Sequence, residues 1–292
     1  MYNEISSNRR RTALLFSIVI IIYIALGWLL SEIYHNFSIL IIALAISAIQ
    51  SWIGYYYSDK IALSTTGAKG PIKKSDAPTL FRTVENLCIT TGLPMPAIYI
   101  IPSASLNAFA TGRKPELASL AITSGLLERL EKVELEGVIA HELSHIKNRD
   151  ILTMTVAVVM IGGLALLSNL FVRGILWGNR RDNQGNNGFM VIIGLVALII
   201  APIVGNLIQL AISRRREYLA DADGALMTRY PEGLARALEK ISRSNIPMES
   251  ANQATAHLFI SSPFRGSQLS QLLSTHPPIE DRIKRLRKMI TK

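Results

Sequence analysis

Four long apolar runs constrain this chain more than any other feature. They are Thr12 to Ser31, Ser38 to Tyr57, Ile151 to Val172 and Gly188 to Ile212, and none carries Lys, Arg, Asp or Glu. Each reaches the roughly 20 residues that a helix needs to cross a ~30 Å hydrocarbon core. Four buried core helices of this kind would leave too little polar chain to cover them. The expectation is therefore a mainly α membrane protein with four transmembrane helices, spans 12–31, 38–57, 151–172 and 188–212. The first run is too long for a cleaved signal peptide, lacks a small-x-small cleavage site, and reads as an uncleaved anchor. Tyr55, Tyr56 and Tyr57 end the second run as an interfacial aromatic belt would.

Composition agrees. Hydrophobic residues make up 49 % of the chain and charged residues only 18 %, against about 25 % charge in soluble domains. The single cysteine, Cys88, cannot form an internal disulfide and reads as a small core residue. The net charge of +10 sits in short clusters beside the apolar runs, such as Arg9-Arg10-Arg11 and Arg214-Arg215-Arg216. That pattern suits the acidic-lipid face of a bilayer; with no basic stripe interleaved with aromatics, nucleic acid is not an expected partner. Lys and Arg flank the spans at Arg9–Arg11, Lys60, Lys147, Arg149 and Arg214–Arg216, whereas the Glu32–Phe37 link has none. The positive-inside rule then places both termini and the 58–150 segment of this multi-pass chain in the cytoplasm. Arg173, Arg180 and Arg181, between the last two spans, run against that topology.

The chain divides accordingly into a membrane hairpin (1–57), a cytoplasmic module (58–150), a second hairpin (151–212) and a cytoplasmic helical module (213–292). In the first module, Ala97–Ile101, Leu106–Thr111 and Leu117–Thr123 read as three short strands, with Gly112 and Pro115 marking a turn. Helical periodicity resumes at Ser124, and a second helix is predicted from about Val133 to Arg149.

That second helix carries His141-Glu142-Leu143-Ser144-His145. Residues i and i+4 lie about 40° apart around a helix, so both imidazoles project from one face. Their nitrogens can converge on one ion at about 2.0–2.1 Å each. Glu142, offset by about 100°, stands near such an ion without being forced to ligate it, and can deprotonate a water there. Catalytic zinc takes three protein ligands and leaves one position open. The other histidines are candidates, but Glu217 is a better one: if the last two spans form a hairpin, Asp150 and Ser213 emerge on one side and Glu217 returns beside His145. Asp221, one turn on, suits an acceptor that fixes a histidine ring N–H. Against this, Glu217 and Asp221 also suit simple neutralisation of Arg214–Arg216. His35 and His257 read as structural.

The pair of motifs, His141-Glu142-x-x-His145 and Glu217-Tyr218-x-Ala220-Asp221, resembles the gluzincin-type membrane metalloendopeptidases of the HtpX group, relatives of the CAAX prenyl-protein proteases. Asn107-Ala108-Phe109-Ala110-Thr111-Gly112, Arg149-Asp150, Thr275-His276-Pro277-Pro278 and Arg282 extend the resemblance over nearly the whole chain. It implies a gluzincin-like zinc protease module with one Zn2+ per chain. Asn107, Ala108 and Phe109 would pair with an extended substrate backbone, His276 would donate to the oxyanion, and Arg282 would orient the carbonyl or buttress the site. Each has a plainer alternative: Asn107 as a turn residue, His276 as a helix cap, Arg282 as the polar face of a basic terminal helix with Arg285 and Arg287.

The function implied is degradation of misfolded or excess membrane proteins, a quality-control and stress-response role. Self-cleavage is compatible with it, and no residue pattern sets an oligomeric state. Processing of lipidated CAAX-type peptides, an intramembrane protease and a zinc transporter are the alternatives. Charged residues crowd the His141–His145 helix, which speaks against a mid-bilayer site. Spans one and two lack the ionisable groups that transporters use.

Overall fold

The computed structural model describes residues 2–178, 214–244, 246–252, 254–261 and 277–290. Two antiparallel helices come first, α1 (Tyr2–Tyr34) and α2 (Ser38–Thr65). The Asn36 side chain accepts from the Ser38 amide and closes the turn between them. Both are long and apolar enough to cross a membrane. Large apolar side chains such as Ile21 and Trp52 stand 62 % and 55 % exposed on them, which only a lipid surround makes inexpensive. α2 runs two turns beyond the expected end at Tyr57. Asp59 and Lys60 mark departure from the apolar zone, not the end of the helix: Ala62 and Leu63 are buried against Ile101, Phe109 and Ala121 of the following module.

Helix α3 (Pro78–Thr91) was not expected from the sequence. Pro78 opens it and Gly92 closes it at φ +69°, the left-handed conformation that favours glycine. Three strands follow, β1 (Ala97–Ile101), β2 (Ala108–Thr111) and β3 (Ser119–Thr123), in the order β1-β3-β2. β1 lies parallel to β3 and β2 antiparallel, with Ala108 opposite Ile122. β1 has its expected bounds. β3 starts at Ser119, later than expected, because Pro115–Leu117 forms a 3-10 turn. β2 loses Leu106 and Asn107 from its expected span.

A short helix, α4 (Ser124–Arg129), precedes α5 (Lys132–Lys147). The α5 start is fixed by a reciprocal capping box between Glu131 and Glu134. α5 ends two residues before the expected Arg149. Arg149 takes φ +57°, and the chain turns through 84° into α6 (Ile151–Gly178). α6 carries the third expected run and packs on α1 through Leu15, Val19, Val156, Met160 and Leu164. The fourth expected span, 188–212, lies outside the described residues.

Three further helices complete the fold: α7 (Arg214–Thr228), α8 (Pro231–Arg243) and α9 (Ile279–Ile290). The amphipathic α8, also not expected, buries Leu234, Leu238 and Ile241 against α5 residues Val138 and Ile139 in one core with Leu120 and Ile122 of the sheet. Glycines set the spacing. A methyl group at position 137 would lie 2.6 Å from the Leu234 nitrogen, and one at 224 would lie 3.0 Å from the His141 nitrogen. α5 is thus gripped between α7 and α8 at backbone contact distance. Among the described residues, then, the protein is mainly helical, with a small three-stranded sheet and two helices able to span a membrane.

Candidate metal centre

α5 presents His141, Glu142 and His145 on a buried face, and α7 brings Glu217 against it. His141, His145 and Glu217 offer ligand atoms that all lie within 4.8 Å of one another. The two Nε2 atoms are 3.3 Å apart. Glu217 places Oε1 3.6 Å from His145 Nε2 and Oε2 3.7 Å from His141 Nε2.

What stands behind the imidazoles determines what they can do. His141 Nδ1 lies 3.0 Å from Asp221 Oδ1, and His145 Nδ1 lies 3.1 Å from Asp150 Oδ2. A carboxylate at each Nδ1 holds the proton there, so each Nε2 presents a lone pair to the space shared with Glu217. Two imidazole nitrogens and one carboxylate form a donor set that fits a divalent transition metal, zinc among them.

Asp150 is the residue that sequence reading did not place. Its signal was the Arg149-Asp150 pair at the end of the helix, noticed without a role. The turn at Arg149 swings Asp150 back under His145, and Asn8 of α1 donates to its other oxygen at 2.6 Å. Buried Arg216 approaches Asp150 to 3.6 Å. So this member of the Arg214–Arg216 cluster faces the site, whereas its two neighbours are exposed.

Arg282 is fully buried, though it comes from a helix rich in exposed cations. Its Nε and NH2 donate to the two oxygens of Asp221 at 2.8 and 2.7 Å. Its NH1 donates to the Ile260 carbonyl at 2.9 Å and lies 3.7 Å from Glu217. The plainer alternative, a surface position beside Arg285 and Arg287, does not describe its place.

β2 runs alongside. Asn107 pairs through its backbone with Thr123 of β3, leaving the Ala108 and Ala110 backbone groups on the outer edge. The Ala110 amide donates to the Glu142 carboxylate. Ala108 O accepts from the Ile260 amide at 3.1 Å, and Asn107 Nδ2 donates to the Ser261 carbonyl. The outer edge of β2 is therefore paired here by the chain's own 260–261 segment. Phe109 is buried edge-on against Phe259. His276 lies outside the described residues. His257 is buried elsewhere, with Nε2 donating to the Met154 carbonyl at 2.7 Å, and Cys88 is a buried core thiol.

The electrostatics follow from burial. Glu142 is 2 % exposed, and desolvation raises its pKa above the usual carboxylate range against the pull of His141, His145 and the Ala110 amide. Burial by itself lowers His145, but the hydrogen bond to Asp150 and the charges of Glu217, Asp150 and Glu142 carry it up to about 9 in the metal-free protein. Asp221, which burial alone would raise, is held low by Arg282.

A buried His-His-Glu cluster flanked by a glutamate, set beside a short sheet at the end of apolar spanning helices, defines a membrane metallopeptidase. The sequence profile of Peptidase family M48 matches residues 74–290. The chain belongs to that family. A protease HtpX homolog of Tropheryma whipplei (strain Twist) is 44 % identical over 289 residues, covering 99 % of this chain and 98 % of its own. A homolog from Caldanaerobacter subterraneus subsp. tengcongensis is 46 % identical, also covering 99 % and 98 %. One from Pyrococcus furiosus is 46 % identical, covering 96 % and 95 %. The crystal structure of S. mikatae Ste24p shares the fold at a TM-score of 0.50 and 18 % identity, covering 92 % of this chain. The chain spans 62 % of that structure's length. The protein is an HtpX-type membrane metalloprotease.

Proposed function

We propose that the metal is zinc, one ion per chain, and that the enzyme is a quality-control endopeptidase of a bacterial-type inner membrane. It cleaves misfolded or excess membrane proteins at the cytoplasmic face. The observation that carries this is the carboxylate behind each histidine, which turns both Nε2 atoms toward Glu217. His141, His145 and Glu217 hold the ion. Bound there, zinc supplies Lewis acidity to the scissile carbonyl and to a water. Glu142, buried beside the two histidines, takes the proton from the attacking water and returns it to the leaving amine. Asp221, itself gripped by Arg282, orients His141. His276 donates to the oxyanion. Four spans, with both termini and the site on the cytoplasmic side, follow from the positive residues at Arg9–Arg11, Lys60 and Lys147 and their absence from 32–37.

Substrates bind as extended strands along Asn107, Ala108 and Phe109, since backbone pairing holds a peptide without reading its sequence. The bonds that Ile260 and Ser261 make to Ala108 and Asn107 are those that a substrate strand takes over when the 260–261 segment yields.

The test is Glu142→Gln in the detergent-purified chain. It should keep one zinc by mass spectrometry yet cleave a model membrane protein at least ~100-fold more slowly, the usual scale for a lost acid-base group. Unchanged cleavage refutes the proposal.

A further inference from the structure

A second cavity, of about 410 Å3, opens at the end of the spans nearest the metal centre, within the range of about 300–1,000 Å3 typical of small-ligand sites. Arg113, Lys114 and Arg149 line it together with Tyr55, Tyr56 and Thr153. It lies where α1 begins its apolar stretch and where the exposed tyrosines of α2 mark the edge of the apolar zone. That is the depth of lipid headgroups.

Its chemistry is one-sided. No carboxylate lines it among the described residues. Among the described residues neither Arg113 nor Arg149 has an ion-pair partner, and Lys114 meets only exposed Glu116, at 3.8 Å. The Arg113 guanidinium stacks 5.0 Å above the Tyr56 ring and 6.0 Å from that of Tyr55. Stacking fixes the guanidinium plane and leaves its N–H edge free to take an anion's oxygens. Arg149 is held by its left-handed backbone at the α5–α6 bend. Asn8, 3 % exposed, also lines the cavity. Its Nδ2 is committed to Asp150 and the Asn148 carbonyl, whereas its Oδ1 has no hydrogen-bond partner. A ligand here therefore needs an anionic group for the cations.

We infer that this cavity binds the headgroup of an anionic glycerophospholipid, its phosphodiester held by Arg113, Lys114 and Arg149. Phosphatidylglycerol, with a net negative headgroup, meets the requirement. Phosphatidylcholine carries its own cation beside the phosphate, and inorganic phosphate lacks the acyl chains that hold a lipid at this depth. The site is separate from the metal centre, which it touches through the Asn8–Asp150 bond.

The experiment is native mass spectrometry of the full chain in neutral detergent, titrated with phosphatidylglycerol or phosphatidylcholine. One phosphatidylglycerol should be retained per chain, in preference to phosphatidylcholine, and millimolar inorganic phosphate should not displace it. With about 1 kcal/mol per basic residue near an anionic lipid, Arg113→Gln with Arg149→Gln should weaken retention roughly 25-fold. Lys114→Gln alone, at an exposed position where folding is safe, should weaken it about 5-fold. Arg82→Gln, exposed on α3, should change nothing. Three results each overturn the inference: equal retention of the two lipids, displacement by phosphate, which would make this a free-phosphate site, or undiminished retention in the Lys114 variant.

Discussion

Arg282 grips Asp221 at two points, 2.7 and 2.8 Å, across 61 residues of sequence. Asp221 in turn meets His141 Nδ1. The orientation of one metal-facing imidazole is thereby tied to the C-terminal helix. Asp221→Asn should weaken zinc binding about 10- to 100-fold, the usual cost of losing a partner behind a ligand. Arg282→Lys keeps the charge but loses the two-point fork, so it should fall between wild type and Asp221→Asn. Competition with a metal-chelating dye reads both; wild-type affinity in either would remove the relay.

Asp150 does for His145 what Asp221 does for His141. Asp150→Asn, which loses the charge and leaves one acceptor oxygen for two donors, should cost zinc affinity on the same scale, about 10- to 100-fold. Isothermal titration with zinc decides it, and an unchanged dissociation constant would reduce Asp150 to a helix-end residue.

The pH dependence of metal uptake has a definite sign. In the metal-free protein His145 titrates at about 9, so at neutral pH its proton competes with the metal. Affinity should rise with pH up to about 9 and level off above it. Calorimetry at pH 7 in buffers of different ionisation enthalpy should show this proton leaving on binding. In Asp150→Asn, without the carboxylate charge that helps raise His145, the rise should level off at lower pH.

Gly137→Ala tests the grip on α5. The added methyl would meet the Leu234 backbone at 2.6 Å, and backbone cannot swing aside as a side chain can. A loss of about 1–3 kcal/mol is expected from such overpacking, visible as a lowered unfolding midpoint. A stabilised variant, as Gly→Ala gives in an open helix, would mean α8 stands further off.

What the sequence determined by itself is local or follows from chain order. The apolar runs at 12–31 and 38–57, the Ala97–Ile101 strand and the i, i+4 histidines each express a period that neighbouring residues carry. Glu217 was reachable too, because two successive spans, as expected from the apolar runs, would return the chain to the side it left. Only the tertiary structure decided which way Arg282 faces: its neighbours Arg285 and Arg287 give the same local pattern whether the helix is solvated or docked. The same holds for Asp150, whose role depends on the backbone turn at Arg149, and for the outer edge of β2, met by Ile260 about 150 residues further on. Such contacts are set by how packed elements bury their polar groups together. That is a property of the assembled core, and no window of sequence contains it.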